Sequence, residues 1–375
     1  MPRAWLEIDL TALESNVALL KQHTNNSELM AVVKANAYGH GLVECAKAAV
    51  RGGADWLAVA APREAIILRE HEVTSPILSW LIDLDDDFVK LIEDSIDMGV
   101  SSDVQLHKIV EAAKIIGKPA RVHVKIDTGL GRNGSTLADL PSLLSLCNEF
   151  ESLELLEVVG VMSHLAYADE PDNPTIAVQI ENFKHAVDLM RAHGIEPEVR
   201  HLANSAASLA LPDTYLNVVR PGLGIYGIFP NLELQVKNPI PLKPVMKLKA
   251  KIALVKEVPA GHGVSYAHQY VTNSSTKLAL IPLGYADGIP RSASNIGPVM
   301  INNEMFTISG RICMDQFVVD VGDAPVSAGD VAILFGDPEE GEPSVNDWAE
   351  AAGTINYEIL ARMNPLLPRI FNTDN

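Results

Sequence analysis

The sequence predicts an α/β protein: an eight-stranded parallel (β/α)8 barrel followed by a smaller, mostly-β C-terminal domain. Three observations predict it. Short apolar runs alternate with amphipathic segments about eight times through roughly the first 230 residues, with short connections. No Gly-x-Gly-x-x-Gly follows the first run, and polar residues instead recur where many different runs end, the face on which barrels build active sites. Composition then changes at NPIPLKPV, where Pro239, Pro241 and Pro244 suit a linker, and the later runs alternate or are β-branched. Two domains are expected for 375 residues, 1–238 as the barrel and 239–375 as the β domain.

Taken in order, the strand candidates of the first part are LEIDL, ELMAVVKA, WLAVA, PILSWL, MGVSS, RVHVKIDT, VVGVMSHL, VRHLANS and VVRPG. Asp9 or Thr11 can cap the first helix, which carries Leu13, Val17 and Leu20 on one face. The acidic run DLDDD reads as a solvated helix start near the positive dipole end. In DVQLHKIVEAAKIIGK, Leu106, Ile109, Val110, Ala113 and Ile116 share a helical face that ends at Gly117. Ile176, Ile180, Phe183 and Val187 do the same before Gly194. The second part offers VMKLKAKIALVKEV, TKLALIPL, VMINNEMFTISG, QFVVDV and DVAILFG as strands, then a helical ending, NDWAEAAGTINYEILARM.

Lys plus Arg total 29 and Asp plus Glu 48, a formal charge of −19. That argues against a nucleic-acid partner, though not against a few arginines around one phosphate. Cys45, Cys147 and Cys313 are too scattered for a disulfide framework or metal motif, and suit a reducing compartment. MPRAWLEIDL lacks the apolar core of a signal peptide, and no apolar window reaches membrane-spanning length. The expected location is cytoplasmic.

Chemistry concentrates at strand ends. Lys34 closes an apolar run in AVVKANAYGHG, just before a turn with Gly39 and Gly41. A lysine so placed either finds a partner or loses its charge. Tyr38 follows four residues on. VKIDTGLGRNG supplies Lys125, Asp127, Thr128 and Arg132, the arginine suiting a carboxylate or phenolate oxygen. His164 ends one run, Asn204 and Ser205 another, and Arg220, Gly222 and Leu223 a third. Together these groups suit a flat, anionic cofactor: amides for a phosphate, an arginine for a ring heteroatom, a lysine for an aldehyde. His262 and His268 lack the neighbours of a metal set, so no metal is expected.

The ordered set AVVKANAYGHG, KIDTGLGR, MSHLA, ANSAA, VRPGLGIYG, VSY, LGYADGIPR, GRICMDQ and TINYEI resembles the alanine racemase family of pyridoxal-phosphate enzymes, over nearly the whole chain. The resemblance implies a cofactor-binding barrel and a β domain that completes the active site of the partner chain in a head-to-tail homodimer. It implies interconversion of L- and D-alanine, with D-alanine supplied to peptidoglycan. Lys34 looks like the lysine that forms the Schiff base with pyridoxal phosphate and serves as one catalytic base, Tyr266 like the other. Tyr38, Ser205, Gly222, Leu223 and Tyr357 match positions around the phosphate, with Asn204 beside them. Arg220 matches the arginine at the pyridine nitrogen and His164 the residue beside the ring. Arg132 and the backbone amide of Met314 match the substrate carboxylate site. Asp169, Tyr285, Arg291, Arg311 and Ile355 match positions lining the entry. Lys125 matches a lysine carbamylated in some relatives, seven residues before Arg132. Ala267 departs from the glycine many members carry after the catalytic tyrosine. Two alternatives stay open: a broad-specificity or serine racemase on this scaffold, and a non-catalytic pyridoxal-phosphate-binding homeostasis protein.

Overall fold

The computed structural model describes residues 2–25 and 27–372. Eight strands close a parallel barrel in chain order: β2 (Glu28–Val32), β3 (Trp56–Val59), β4 (Ile77–Ser79), β5 (Asp97–Val100), β6 (Ala120–Lys125), β7 (Leu156–Met162), β8 (Val199–His201) and β9 (Val218–Val219), with β9 pairing back to β2. Barrel strands are covered on both sides, so they read as unbroken apolar runs; all four residues of β3 are buried. The helices between them follow the sequence signals. Asp87 caps Phe88–Glu93 by accepting from the Lys90 amide, and Asp103–Ile116 stops at Gly117, whose φ is +68°.

The first strand, β1 (Ala4–Asp9), departs from expectation. LEIDL reads with the barrel runs in sequence, yet β1 lies in a six-stranded sheet of the β unit, antiparallel to β10 (Met246–Lys251) and parallel to a strand at Arg369–Asn372. The physical reason is its alternation. β10 reads MKLKAK with every second residue buried, and Leu6 pairs Leu248 while Glu7 pairs Lys247. Glu7 also accepts from Lys249 Nζ at 2.7 Å. An apolar face and a charged face suit a half-solvated sheet. Asp9 then accepts the Ala12 amide at 2.8 Å and starts the first helix, Leu10–His23.

Two compact units result. One comprises Leu13–Ala37 and Leu42–Leu242, the barrel. The other takes the described residues of Met1–Ala12, Tyr38–Gly41 and Lys243–Asn375. Beside the six-stranded sheet, this β unit holds a three-stranded sheet at Leu254–Val258, Thr276–Ile281 and Phe317–Gly322. Its helical ending forms as two helices, Val345–Ala352 and Asn356–Ala361, before the strand at Arg369–Asn372.

Candidate active site

Lys34 leaves β2 into an unusual backbone. Ala35, Asn36 and Ala37 sit near φ 54°, ψ 50°, and Tyr38 has φ 51°, a left-handed turn made without glycine. Each such residue costs about 1–2 kcal/mol, so the surroundings must impose it. They do. The Asn36 amide donates to Glu64 Oε1 at 2.9 Å, Asn36 Oδ1 accepts from the Leu42 amide at 2.9 Å, and the Ala37 amide donates to Val33 O at 2.8 Å. The sequence suggested that Gly39 and Gly41 supply the unusual angles; the structure starts them four residues earlier. Gly39 is still required, since a Cβ there would stand 2.3 Å from the Leu360 carbonyl oxygen.

Around Lys34 the barrel collects cations. Its Nζ lies 5.7 Å from the centre of the Trp80 ring. Burial lowers its pKa, Arg132 and Arg220 lower it further, and only Glu64 opposes. Lys125 is depressed to about 8 by burial and then by Arg132, Arg220 and Lys34, with Asp127 opposing. Burial brings Arg220 down to about 9. His164 is driven well below the usual imidazole range by burial and then by Arg220, Arg132, Lys34 and Lys125, so it is neutral. Five predicted residues therefore share one electropositive site, and its cations outnumber its acids.

Loops hold these groups in place. Asp127 Oδ1 accepts the amides of Gly129 and Gly131 at 2.9 and 3.1 Å, shaping the loop that carries Arg132. Asn204 Oδ1 accepts the Ala207 amide, so its side chain caps the short helix opening at Ser205. Ser205 Oγ accepts from the Gly222 amide at 2.7 Å, bringing Ser205, Gly222 and Leu223 together. Arg220 donates from NH2 to the carbonyls of Ser163 at 2.7 Å and Leu202 at 3.2 Å. Asp169 is exposed in a barrel loop.

The β unit carries the remaining candidates. Tyr266 is 68% exposed, between Ser265 (φ 60°) and Ala267 (φ 59°), with His268 at φ 44°. Ser265 Oγ donates to the Arg311 carbonyl at 2.6 Å and lies 3.4 Å from Cys313 Sγ. The carbonyls of Cys313 and Met314 in turn accept the amides of Tyr285 and Ala286. Tyr266, Tyr285, Arg311 and Met314 thus form one group, with Met314 53% exposed. Tyr38 and Tyr357 pair at 6.2 Å between ring centres, and burial followed by Tyr357 raises the Tyr38 hydroxyl. Arg291 and Ile355 lie exposed on this unit, and Arg291 joins that group through Ser294, whose Oγ donates to the Arg291 carbonyl at 2.7 Å and accepts the Ile312 amide at 3.1 Å.

Sequence reasoning missed Trp80 and Glu64 beside Lys34, and it missed Asp97, His123 and His201 inside the barrel. A histidine in the middle of a buried run, as in RVHVK, was the available signal, because an interior imidazole must find partners.

A buried amine among arginines at the end of a parallel barrel defines an enzyme site for a small anionic molecule. Two family models match the chain. "Alanine racemase, N-terminal domain" matches residues 8–230 and "Alanine racemase, C-terminal domain" matches residues 245–371. The alanine racemase of Salinispora arenicola is 48% identical over 99% of both chains. That of Streptomyces coelicolor is 47% identical over 98% of this chain and 96% of its own. The solved alanine racemase from D-cycloserine-producing Streptomyces lavendulae superposes with a TM-score of 0.98 at 47% identity, covering 100% of this chain and 98% of the other. The chain belongs to the alanine racemase family, enzymes that interconvert L-alanine and D-alanine.

Proposed function

We propose that this chain racemises alanine with pyridoxal phosphate by a two-base mechanism, in the cytoplasm, as a head-to-tail homodimer supplying D-alanine to peptidoglycan. The observation that carries the reading is the cluster of Lys34, Lys125, Arg132, His164 and Arg220. The cations of this set, Lys34, Lys125, Arg132 and Arg220, repel one another with too few acids beside them and are stabilised by an anion, and a lysine losing its proton suits an aldehyde. The residues therefore fit the cofactor. Lys34, His164, Arg220, Ser205, Gly222 and Leu223 would hold it from the barrel, with Asn204 fixing Ser205, and the resemblance adds Tyr38 and Tyr357 at the phosphate. When bound, the group supplies an electron sink for negative charge at the α-carbon.

The chain's own residues do the rest. Lys34 Nζ takes or returns the proton of D-alanine, and the Tyr266 hydroxyl that of L-alanine, on opposite faces. Arg132 and the Met314 amide hold the substrate carboxylate. Arg220 is too basic to give up a proton, so it keeps the ring nitrogen unprotonated and restrains transamination. Lys125, depressed to about 8, has enough free amine to add CO2 and release a proton, leaving a carbamate anion beside Arg132. Exposure of Tyr266, Met314 and Ile355 supports their serving a partner chain, with Asp169, Tyr285, Arg291 and Arg311 lining the entry. No helix among the described residues is long and apolar enough to cross a membrane.

Two readings of the purified protein test the proposal: the violet absorption band of lysine-bound cofactor, moved into the ultraviolet by borohydride, and loss of optical rotation with L-alanine. Both are expected. Absence of both sinks the proposal, and equal turnover of L-serine favours the broad-specificity alternative.

A further inference from the structure

A buried polar chain crosses the barrel interior without contributing to the proton transfers above. Asp97 opens β5, His123 lies in β6, His201 closes β8, and Arg220 follows β9. Asp97 Oδ2 lies 3.2 Å from His123 Nε2, His123 Nδ1 2.9 Å from His201 Nε2, and His201 Nδ1 3.1 Å from Arg220 NH1. All four side chains are buried. β7 makes room for the pair with Gly160, where a Cβ would stand 2.6 Å from His123 Nδ1. Trp56 closes the other side, edge-on to His123 at 5.8 Å.

Proton directions along this chain are fixed from both ends. A guanidinium only donates, so His201 Nδ1 accepts and is bare. A neutral ring with bare Nδ1 carries its proton on Nε2, and His201 therefore donates to His123 Nδ1. His123 by the same rule donates from Nε2 to Asp97. The far end independently demands an acceptor. Burial acts to raise the Asp97 carboxyl, but hydrogen bonds from His123 and Arg121 outweigh it and hold the group below its usual range. Arg121 reaches Oδ1 from Nε at 2.9 Å and Oδ2 from NH2 at 3.3 Å. Protonating either imidazole would set two N–H groups face to face at one link, the costly case of an unsatisfied buried donor. One arrangement satisfies every link.

We infer that Asp97, His123 and His201 are positioning residues for Arg220: together they set both imidazoles as Nε2–H tautomers and fix the guanidinium, leaving its Nε–H and one NH1 proton for the ligand. Three Arg220 protons are taken by His201 and the two carbonyls, which accounts for those that remain. The consequence for the cofactor ring rests on the function proposed above; the tautomers do not.

The test is nitrogen NMR of the full-length protein labelled at histidine, near neutral pH, with Asp97→Asn as the variant. Both rings are expected to carry their proton on Nε2 in the wild type. In Asp97→Asn, Arg121 claims the single remaining oxygen and the amide NH2 faces His123 Nε2. His123 should then switch to Nδ1–H, and His201 with it, which puts a second donor against Arg220. Groups that fix a metal-bound imidazole through its second nitrogen are worth ~10–100-fold, and the lower end of that range is taken for imidazoles that fix a guanidinium. The expected kcat, counted per folded enzyme from its lysine-bound cofactor band, is about tenfold lower with KM for alanine within about twofold. A wild-type ring bearing Nδ1–H or a full imidazolium overturns the inference, and so do unchanged tautomers in Asp97→Asn. If that variant does not fold, the wild-type spectrum decides alone. A protein without racemase activity whose rings are both Nε2–H would refute the function and leave the hydrogen-bond chain standing.

Discussion

Lys34 in the barrel and Tyr266 in the β unit both adjoin non-glycine residues of positive φ, yet only the lysine is enclosed by charge. Four consecutive residues after Lys34 and three around Tyr266 have positive φ without being glycine. Strain of this kind aims a side chain and persists only where surrounding contacts impose it. The second ingredient differs. Burial and two arginines lower Lys34 inside its own chain, whereas Tyr266 is exposed. A single fold can aim a base locally, but shifting its proton affinity needs an enclosure. For Tyr266 we assign that enclosure to a partner chain.

Lys34→Ala removes both the cofactor anchor and one base, and should cost about 10^4-fold or more in kcat; a racemisation assay checks it. Tyr266→Phe deletes only the second base, so about 10^2–10^4-fold is expected in the same assay. Arg220→Glu should raise the ratio of transamination to racemisation, read as pyruvate formed per alanine inverted; an unchanged ratio removes the role assigned to Arg220.

Lys125 gives a smaller effect with a defined sign. It titrates near 8 in the fold and near ~10.4 when unfolded. Between those values the unfolded chain binds more protons, so stability rises with pH across the window and is lost as pH falls toward 8. In CO2-free buffer, denaturation midpoints should show this rise, and Lys125→Met should flatten it. With labelled bicarbonate, a carbamate carbon signal should appear in the wild type and be absent from Lys125→Met. Ala267→Gly should have the mildest effect. Glycine relieves a positive φ but frees the unfolded chain, so melting should move by no more than about 1 kcal/mol. A several-fold fall in kcat would show that the strained turn aims Tyr266.

Much of this was legible because barrel strands and amphipathic helices announce themselves by period. All eight barrel strands overlap runs visible in the sequence, though β5, β6 and β7 begin one or two residues before theirs, and Lys34, Lys125, Arg132, His164 and Arg220 stand at or just after strand ends. β1 escaped because the alternation in LEIDL covers only five residues and its partner, MKLKAK, lies some 240 residues on. The final strand at Arg369–Asn372 pairs with β1 and was hidden for the same reason. The left-handed turn at KANAY was invisible, since alanine has no local preference for it and the cause lies in Glu64 and Leu42. The chain from Asp97 to Arg220 joins four strands and has no local signature.

If two bases act on opposite faces of the α-carbon, hydrogen exchange in deuterated water separates them. With Tyr266→Phe, Lys34 should still wash deuterium into the α-position of D-alanine, while L-alanine keeps its proton. Equal exchange into both enantiomers would contradict the account.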